Sequence, residues 1–155
     1  MGFERVSVEK LTTVIIGITV LVIAAGGVIR IYDAGESCPD WPTCFGTWGF
    51  DISEDEQIEW FDDNPSEIDS RGSSHTYTSF QIFTEWIHRL LAGALLGPLV
   101  ILNWWIIRKD EELTNEVKLA SLISVLLIGW QGFLGYVTVR LDNLHWSVAL
   151  HLSSA

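Results

Sequence analysis

The chain has 155 residues, 48% of them hydrophobic, and nine Lys+Arg against 20 Asp+Glu give it a net charge of −11. With no basic stripe to release counterions from phosphates, it is excluded as a nucleic-acid binder. Its apolar residues gather into long uninterrupted runs, which excludes a compact soluble enzyme, and two cysteines exclude a disulfide-dense scaffold.

Leu11 to Ile29 is a charge-free run of 19 residues between Lys10 and Arg30. It is longer than the apolar part of a signal peptide, and Gly26-Gly27-Val28-Ile29-Arg30 lacks a small-residue cleavage pattern. It reads as a retained membrane helix over about residues 11–31. Residues 33–82 then form a long acidic loop. Within it, 33–50 is rich in Cys, Pro, Trp and Gly and suits tight turns, whereas 51–74 is acidic and Ser-rich. The latter reads as a solvated, mobile stretch, with a docking surface for a basic partner as the alternative.

A second helix is expected over 83–107, built on the charge-free run Leu90 to Ile107 and opening with Glu85, His88 and Arg89. Pro98 should bend it below His88. A third, over 117–139, contains Leu119 to Val139, where Gln131 and hydroxyls supply the polar side chains. A fourth run starts near Trp146 and reaches Ala155. Ten helical residues extend roughly 15 Å, about half of a ~30 Å hydrocarbon core, so this helix is expected to be incomplete, cut within its span or dipping into the bilayer. The fold class is therefore all-α, an integral membrane four-helix bundle, multi-pass in the cell membrane. Arg5 and Lys10 precede helix 1, and Arg108, Lys109 and Lys118 lie between helices 2 and 3. From Asp33 to Phe83 the only basic residue is Arg71. The positive-inside rule then places the N-terminus in the cytoplasm and the long loop outside.

Ionisable side chains within a span are costly and face an interior, a partner or a cofactor. Glu85 and His88 are three apart and Arg89 is one turn from Glu85, near the outer end of helix 2. His151 lies at similar depth in helix 4, and two histidines at matched depth on two helices suit a bis-imidazole haem iron. Hydrogen-bonded helix contacts are the plainer reading of the same residues. His145 lies about 240° round the helix from His151 and cannot share its iron, so it reads as a loop residue, and His75 as solvated. Arg30, Arg89 and Arg140 gather at the same end, where guanidinium forks suit haem propionates; the alternatives are interfacial anchors and an Arg89–Glu85 pair. Small residues in Ala24-Ala25-Gly26-Gly27, at Gly93 and Gly97, and at Gly129, Gly132 and Gly135 permit close helix approach. Cys38 and Cys44 flank Pro-Asp-Trp-Pro-Thr; a structural bridge, a redox pair and a metal site all remain open.

Several blocks in order resemble the haem A synthase family: Gly26-Gly27-Val28-Ile29-Arg30 leading to Cys38-Pro39-Asp40-Trp41-Pro42-Thr43-Cys44; Glu85-Trp86-Ile87-His88-Arg89; Gln131-Gly132-Phe133-Leu134-Gly135-Tyr136-Val137-Thr138-Val139; and Ala149-Leu150-His151-Leu152. They span most of residues 24–155 apart from the acidic stretch. The resemblance implies a membrane oxidoreductase that converts the C8 methyl of haem O to the formyl group of haem A for terminal oxidases. It implies His88 and His151 as the haem-iron ligands, Glu85 as the catalytic carboxylate and Cys38 and Cys44 as the external pair, with haem B as a further cofactor. Common members have two four-helix halves. This chain supplies one, like the short archaeal-type members, so the implied partners are a second copy or a second half, with haem O synthase upstream. The competing expectations are a b-type cytochrome or haem carrier using the same histidines, and a quinone-linked thiol oxidoreductase, which would need a second cysteine pair.

Overall fold

The computed structural model describes residues 2–155, with side chains from Val8 onward, so the Arg5 side chain lies outside the described residues. The described residues are mainly helical: α1 (Gly2–Ile31), α2 (Glu54–Asp63), α3 (Ser79–Arg89), α4 (Gly97–Lys109), α5 (Asn115–Arg140) and α6 (His145–Ser153). A π-helical segment, Leu90–Leu96, joins α3 to α4 without a break, so Ser79–Lys109 forms one long rod. Val8–Ile31, Ser79–Lys109 and Asn115–Arg140 are each long and apolar enough to cross a membrane. Large apolar side chains stand exposed along all three, including Ile16, Val20, Ile101, Leu119 and Leu126, as lipid-facing surfaces require.

Local chemistry explains the boundaries. The second rod begins at Ser79 rather than near Phe83 because Thr78 and Gln81 form a reciprocal capping box. Thr114 caps α5 by accepting from the Val117 amide. Pro98 lies in the first turn of α4, and the irregularity expected from it falls on its N-terminal side as the π segment, closed by a Gly97 N–H to Ala92 C=O bond. Proline has no N–H to return to the preceding turn, and a π turn is one way of accommodating the lost bond.

The helices pack in sequence: α1 against α3, the π segment and α4; α4 against α5; α5 against α6. The best-buried apolar core lies at one end of this bundle, where residues 32–78 fold over the start of α3 as a cap. Cys38, Cys44, Phe45, Ile52, Phe61, Tyr77 and Ile82 are buried together, with Phe50, Trp60, Ile68 and Trp86 packed round them. Phe45 meets Trp60 and Phe61 edge-on at centroid distances of 5.5 and 5.6 Å.

The stretch 51–74, expected to be solvated and mobile, is instead an ordered part of this cap. Ser53 and Glu56 form a capping box that opens α2, and one face of α2 buries Gln57 and Phe61. Gln57 substitutes for a strand neighbour: its amide nitrogen donates to Tyr77 C=O at 3.0 Å and its oxygen accepts the Tyr77 N–H at 2.8 Å. The acidic side chains cover the opposite, solvent-facing side, where Glu54, Asp55, Glu59, Asp62 and Asp63 are exposed. His75 is likewise half-buried, edge-on to the Tyr77 ring at 4.9 Å.

A charged clasp ties the cap to the bundle. Arg71 pairs with Glu36, with Asp33 at 3.3 Å and with Asp69 at 3.5 Å, and lies over the Tyr77 ring, whose hydroxyl bonds Asp69. Asp142, in the turn between α5 and α6, accepts the Ser70 N–H at 3.0 Å. The adjacent Asn143 side chain lies so close to Gly35 that a β-carbon there would sit 2.8 Å from its amide nitrogen, so a larger residue at that position would force the Asn143 side chain to shift. Asp142 and Asn143 both adopt positive φ, 54° and 49°, which these residue types tolerate best after glycine.

Candidate functional site

Glu85, His88 and Arg89 sit in the last turns of α3, but their side chains diverge. Ile82, Glu85, Trp86 and Arg89 fall at i, i+3, i+4 and i+7 and present one stripe to the cap, whereas His88 turns toward α1. The His88 Nδ1 lies 3.1 Å from the carbonyl of Val22. A carbonyl only accepts, so Nδ1 carries the proton and the Nε2 lone pair is left for a metal. Gly26, one turn along α1, lies beside the ring: a β-carbon there would stand in van der Waals contact with the imidazole at 3.4 Å.

His151, on α6, meets α5 by the Cε1–Nε2 edge of its ring, whereas His88 meets α1 by its Cε1–Nδ1 edge. A β-carbon on Gly135 of α5 would lie 3.6 Å from the His151 ring, so each imidazole rests against a glycine of its neighbouring helix. His151 Nδ1 is buried and has no hydrogen-bond partner among the described residues. His145 is exposed at the start of α6, away from this pair.

Glu85 is 4% exposed and fully engaged. One carboxylate oxygen accepts the Cys38 N–H and lies within bonding distance of the Ser37 hydroxyl, both at 3.0 Å; the other accepts from Arg89 at 2.5 Å. Arg89 donates further to the carbonyls of Cys38 at 2.6 Å, Asp40 at 2.5 Å and Thr43 at 3.1 Å. The carboxylate takes an amide of the 38–44 loop while the guanidinium feeds its carbonyls, so the pair grips that loop at opposite polarities. Cys38 and Cys44 are joined as a disulfide within it, both buried. Asp40 closes the loop from inside, accepting from Gly46 N–H at 3.0 Å and from the Thr43 hydroxyl. At the tip, Trp41 stands edge-on to Tyr136 of α5, so the loop bridges α3 and α5.

The three arginines expected at propionates are therefore not equivalent. Arg89 is occupied by the loop carbonyls and Glu85. Arg140 is exposed and pairs with Glu67 at 2.9 Å. Arg30 is exposed at the end of α1, with no ion-pair partner among the described residues. Sequence reasoning missed Ser37, whose buried hydroxyl lies within bonding distance of the Ala34 and Gln81 carbonyls as well as Glu85, and it missed Val22. Neither carried a signal: a serine in a loop and a valine in an apolar run are distinguished only by what docks on them.

Three apolar rods beneath a disulfide-bonded cap define a multi-pass helical membrane protein. Over residues 9–155 the sequence matches the COX15-CtaA family of cytochrome oxidase assembly proteins, and the chain belongs to that family. It is similar to proteins named heme A synthase: 34% identical over 134 residues to that of Shewanella oneidensis, covering 86% of this chain and 37% of that protein. Identity is 29% over 133 residues with that of Halalkalibacterium halodurans, covering 85% and 36%, and 30% over 146 residues with that of Rhodospirillum centenum, covering 84% and 37%. The chain thus spans little more than a third of the length of these curated relatives. No solved structure matches it.

Proposed function

We propose that the chain forms a haem site of a haem A synthase, at which the C8 methyl of haem O is oxidised to the formyl group of haem A for terminal oxidase biogenesis. The observation that carries the reading is the imidazole pair: His88 with its Nδ1 held by the Val22 carbonyl, and His151 with a buried Nδ1 that has no partner among the described residues, each packed beside a glycine of the neighbouring helix. Two imidazoles contributed by different helices of one bundle are a donor set that suits a haem iron. Kinship to proteins named heme A synthase supplies the reaction.

In this reading His88 and His151 ligate the iron, and the bound porphyrin supplies the redox chemistry. Val22 holds His88 in the ligating tautomer. Glu85 would be the catalytic carboxylate; its backbone lies one helical turn from the ligand, while its side chain is held within the cap by Arg89, Ser37 and the Cys38 N–H. Arg89 and the 38–44 loop hold that carboxylate and keep water from it. Arg30 is the guanidinium free to meet a propionate; Arg140 can join it by exchanging its exposed pair with Glu67. The capped end faces outward, opposite Lys10, Arg108, Lys109 and Lys118. A second copy or a second four-helix half provides the site for a resident haem B, and haem O synthase is the natural donor of substrate.

Extraction of haem from the purified protein, with chromatographic identification, tests the proposal. Bound haem O or haem A is the expected result, and conversion of added haem O establishes the activity. Haem B alone, with no conversion in the assembled protein, would identify a b-type cytochrome or carrier instead. A folded protein that binds no haem would overturn the site.

A further inference from the structure

At the end of the bundle opposite the cap, α4 finishes in Trp104-Trp105-Ile106-Ile107-Arg108-Lys109. Helical spacing sets the two tryptophans one turn before the two cations. The Arg108 guanidinium lies over both indoles, 5.0 Å from the Trp104 ring and 4.6 Å from that of Trp105. The Lys109 ammonium stands 4.3 Å from the Trp105 ring. Arg108, Lys109 and Trp105 are exposed, whereas the neighbouring Ile107 is buried. Among the described residues neither cation makes an ion pair, although Asp110, Glu111 and Glu112 follow directly in the chain. Asp110 instead turns its carboxylate back on the loop, accepting the Glu112 N–H at 2.9 Å. The capped end is different, for Arg71, Arg89 and Arg140 are each held there by a carboxylate.

A guanidinium stacked on an indole is engaged through its face, and its in-plane N–H groups still need an acceptor. Depth in the bilayer selects that acceptor. Lys109 is the last residue of the rod Ser79–Lys109, so the cluster lies where hydrocarbon gives way to headgroups. The anion at that level is a lipid phosphate, which a guanidinium fork grips in its plane and an ammonium meets as a point charge. Two adjacent cations without a counter-ion favour a lipid of net negative charge, because a zwitterionic headgroup brings a competing cation of its own. We propose that Trp104, Trp105, Arg108 and Lys109 form a headgroup site for an anionic phospholipid in the leaflet opposite the cap. The cations hold the phosphate and the indoles flank it at the hydrocarbon boundary. The site is about 30 Å along the rod from His88, so lipid and haem occupancy are separately measurable.

Native mass spectrometry of the purified protein, titrated with phosphatidylglycerol or with phosphatidylcholine, tests this. The wild type should retain phosphatidylglycerol in preference. Arg108→Gln combined with Lys109→Gln should abolish the preference, with affinity for phosphatidylglycerol falling roughly 30-fold for two lost charges. Lys10→Gln combined with Lys118→Gln removes the same charge from the same end of the bundle and should leave the preference intact. Should the first double variant not fold, Arg108→Gln and Lys109→Gln taken singly carry the test, at roughly 5-fold each. Equal retention of both lipids by the wild type, or an unchanged preference without Arg108 and Lys109, overturns the site. An equal loss in the Lys10 and Lys118 variant also overturns it, since a diffuse surface charge would then suffice. Inorganic phosphate that competes as well as phosphatidylglycerol would mark a free-anion site and remove the lipid.

Discussion

At the residue scale, His88 and the Glu85–Arg89 pair have separate tasks although all lie within two turns of α3. His88→Ala should abolish or strongly reduce haem content, and His151→Ala should do the same, read from the absorbance of the purified protein; full haem in either variant would remove it as a ligand. Glu85→Gln keeps the size of the side chain but loses the charge, so haem should remain bound while turnover of haem O stops. A fully active Glu85→Gln variant would end its assignment. Arg89→Ala leaves Glu85 buried and uncompensated and strips three loop carbonyls of their donor. Breaking a buried pair from one side costs about 3–5 kcal/mol, so this variant should melt far below the wild type. The sequence brought Glu85, His88 and Arg89 together through helical spacing. Their divergence toward α1 and toward the cap was not legible, because it depends on which surfaces pack against the two faces of α3.

At the scale of elements, α2 shows how composition can mask periodicity. Its acidic residues lower the average hydropathy so far that the stretch reads as solvated, yet Gln57 and Phe61 are four apart and share one buried face. The legible signal was Ser53 followed three residues later by Glu56, a capping box that states where a helix begins. Phe61→Ala should cost about 3–5 kcal/mol in thermal or denaturant unfolding of the cap, the usual consequence of emptying a buried aromatic site. Ser53→Ala should cost about 1 kcal/mol through the lost cap. The membrane helices show the opposite case. Their charge-free runs were legible because a hydrocarbon solvent leaves little freedom of composition, and only the caps at Thr78 and Thr114 adjusted their starts.

At the scale of the whole molecule, the cap and the bundle are joined by charge. Burial pushes the Glu36 carboxyl above its ordinary value of 4.5, with Arg71 opposing and Asp142 reinforcing the shift. Burial, with the bond to Asp69, also raises the Tyr77 hydroxyl, which stays protonated. A carboxyl raised by folding contributes stability that is fully present below its unfolded value and is lost as pH rises through its folded one. The clasp should therefore loosen on going from mildly acidic to neutral and alkaline pH. Glu36→Gln, which imitates the protonated acid, should flatten that dependence in melting curves recorded across this range; an unchanged profile would exclude Glu36 as its source. The Cys38–Cys44 bridge closes a small ring, so its removal should cost only about 2 kcal/mol by chain entropy.

The sequence by itself determined the all-helical membrane class, the three spans, the cluster at Glu85 to Arg89 and the family blocks, because a bilayer imposes length and apolarity locally and a motif keeps its own spacing. Only the tertiary structure decided that the acidic stretch folds as a cap and that Cys38 and Cys44 are bonded. It also decided that Arg89 serves a loop, and that His88 Nδ1 meets the Val22 carbonyl while His151 Nδ1 has no partner among the described residues. These depend on contacts between residues far apart in the chain, where a carbonyl of one helix meets a ring of another. No local pattern records such a contact.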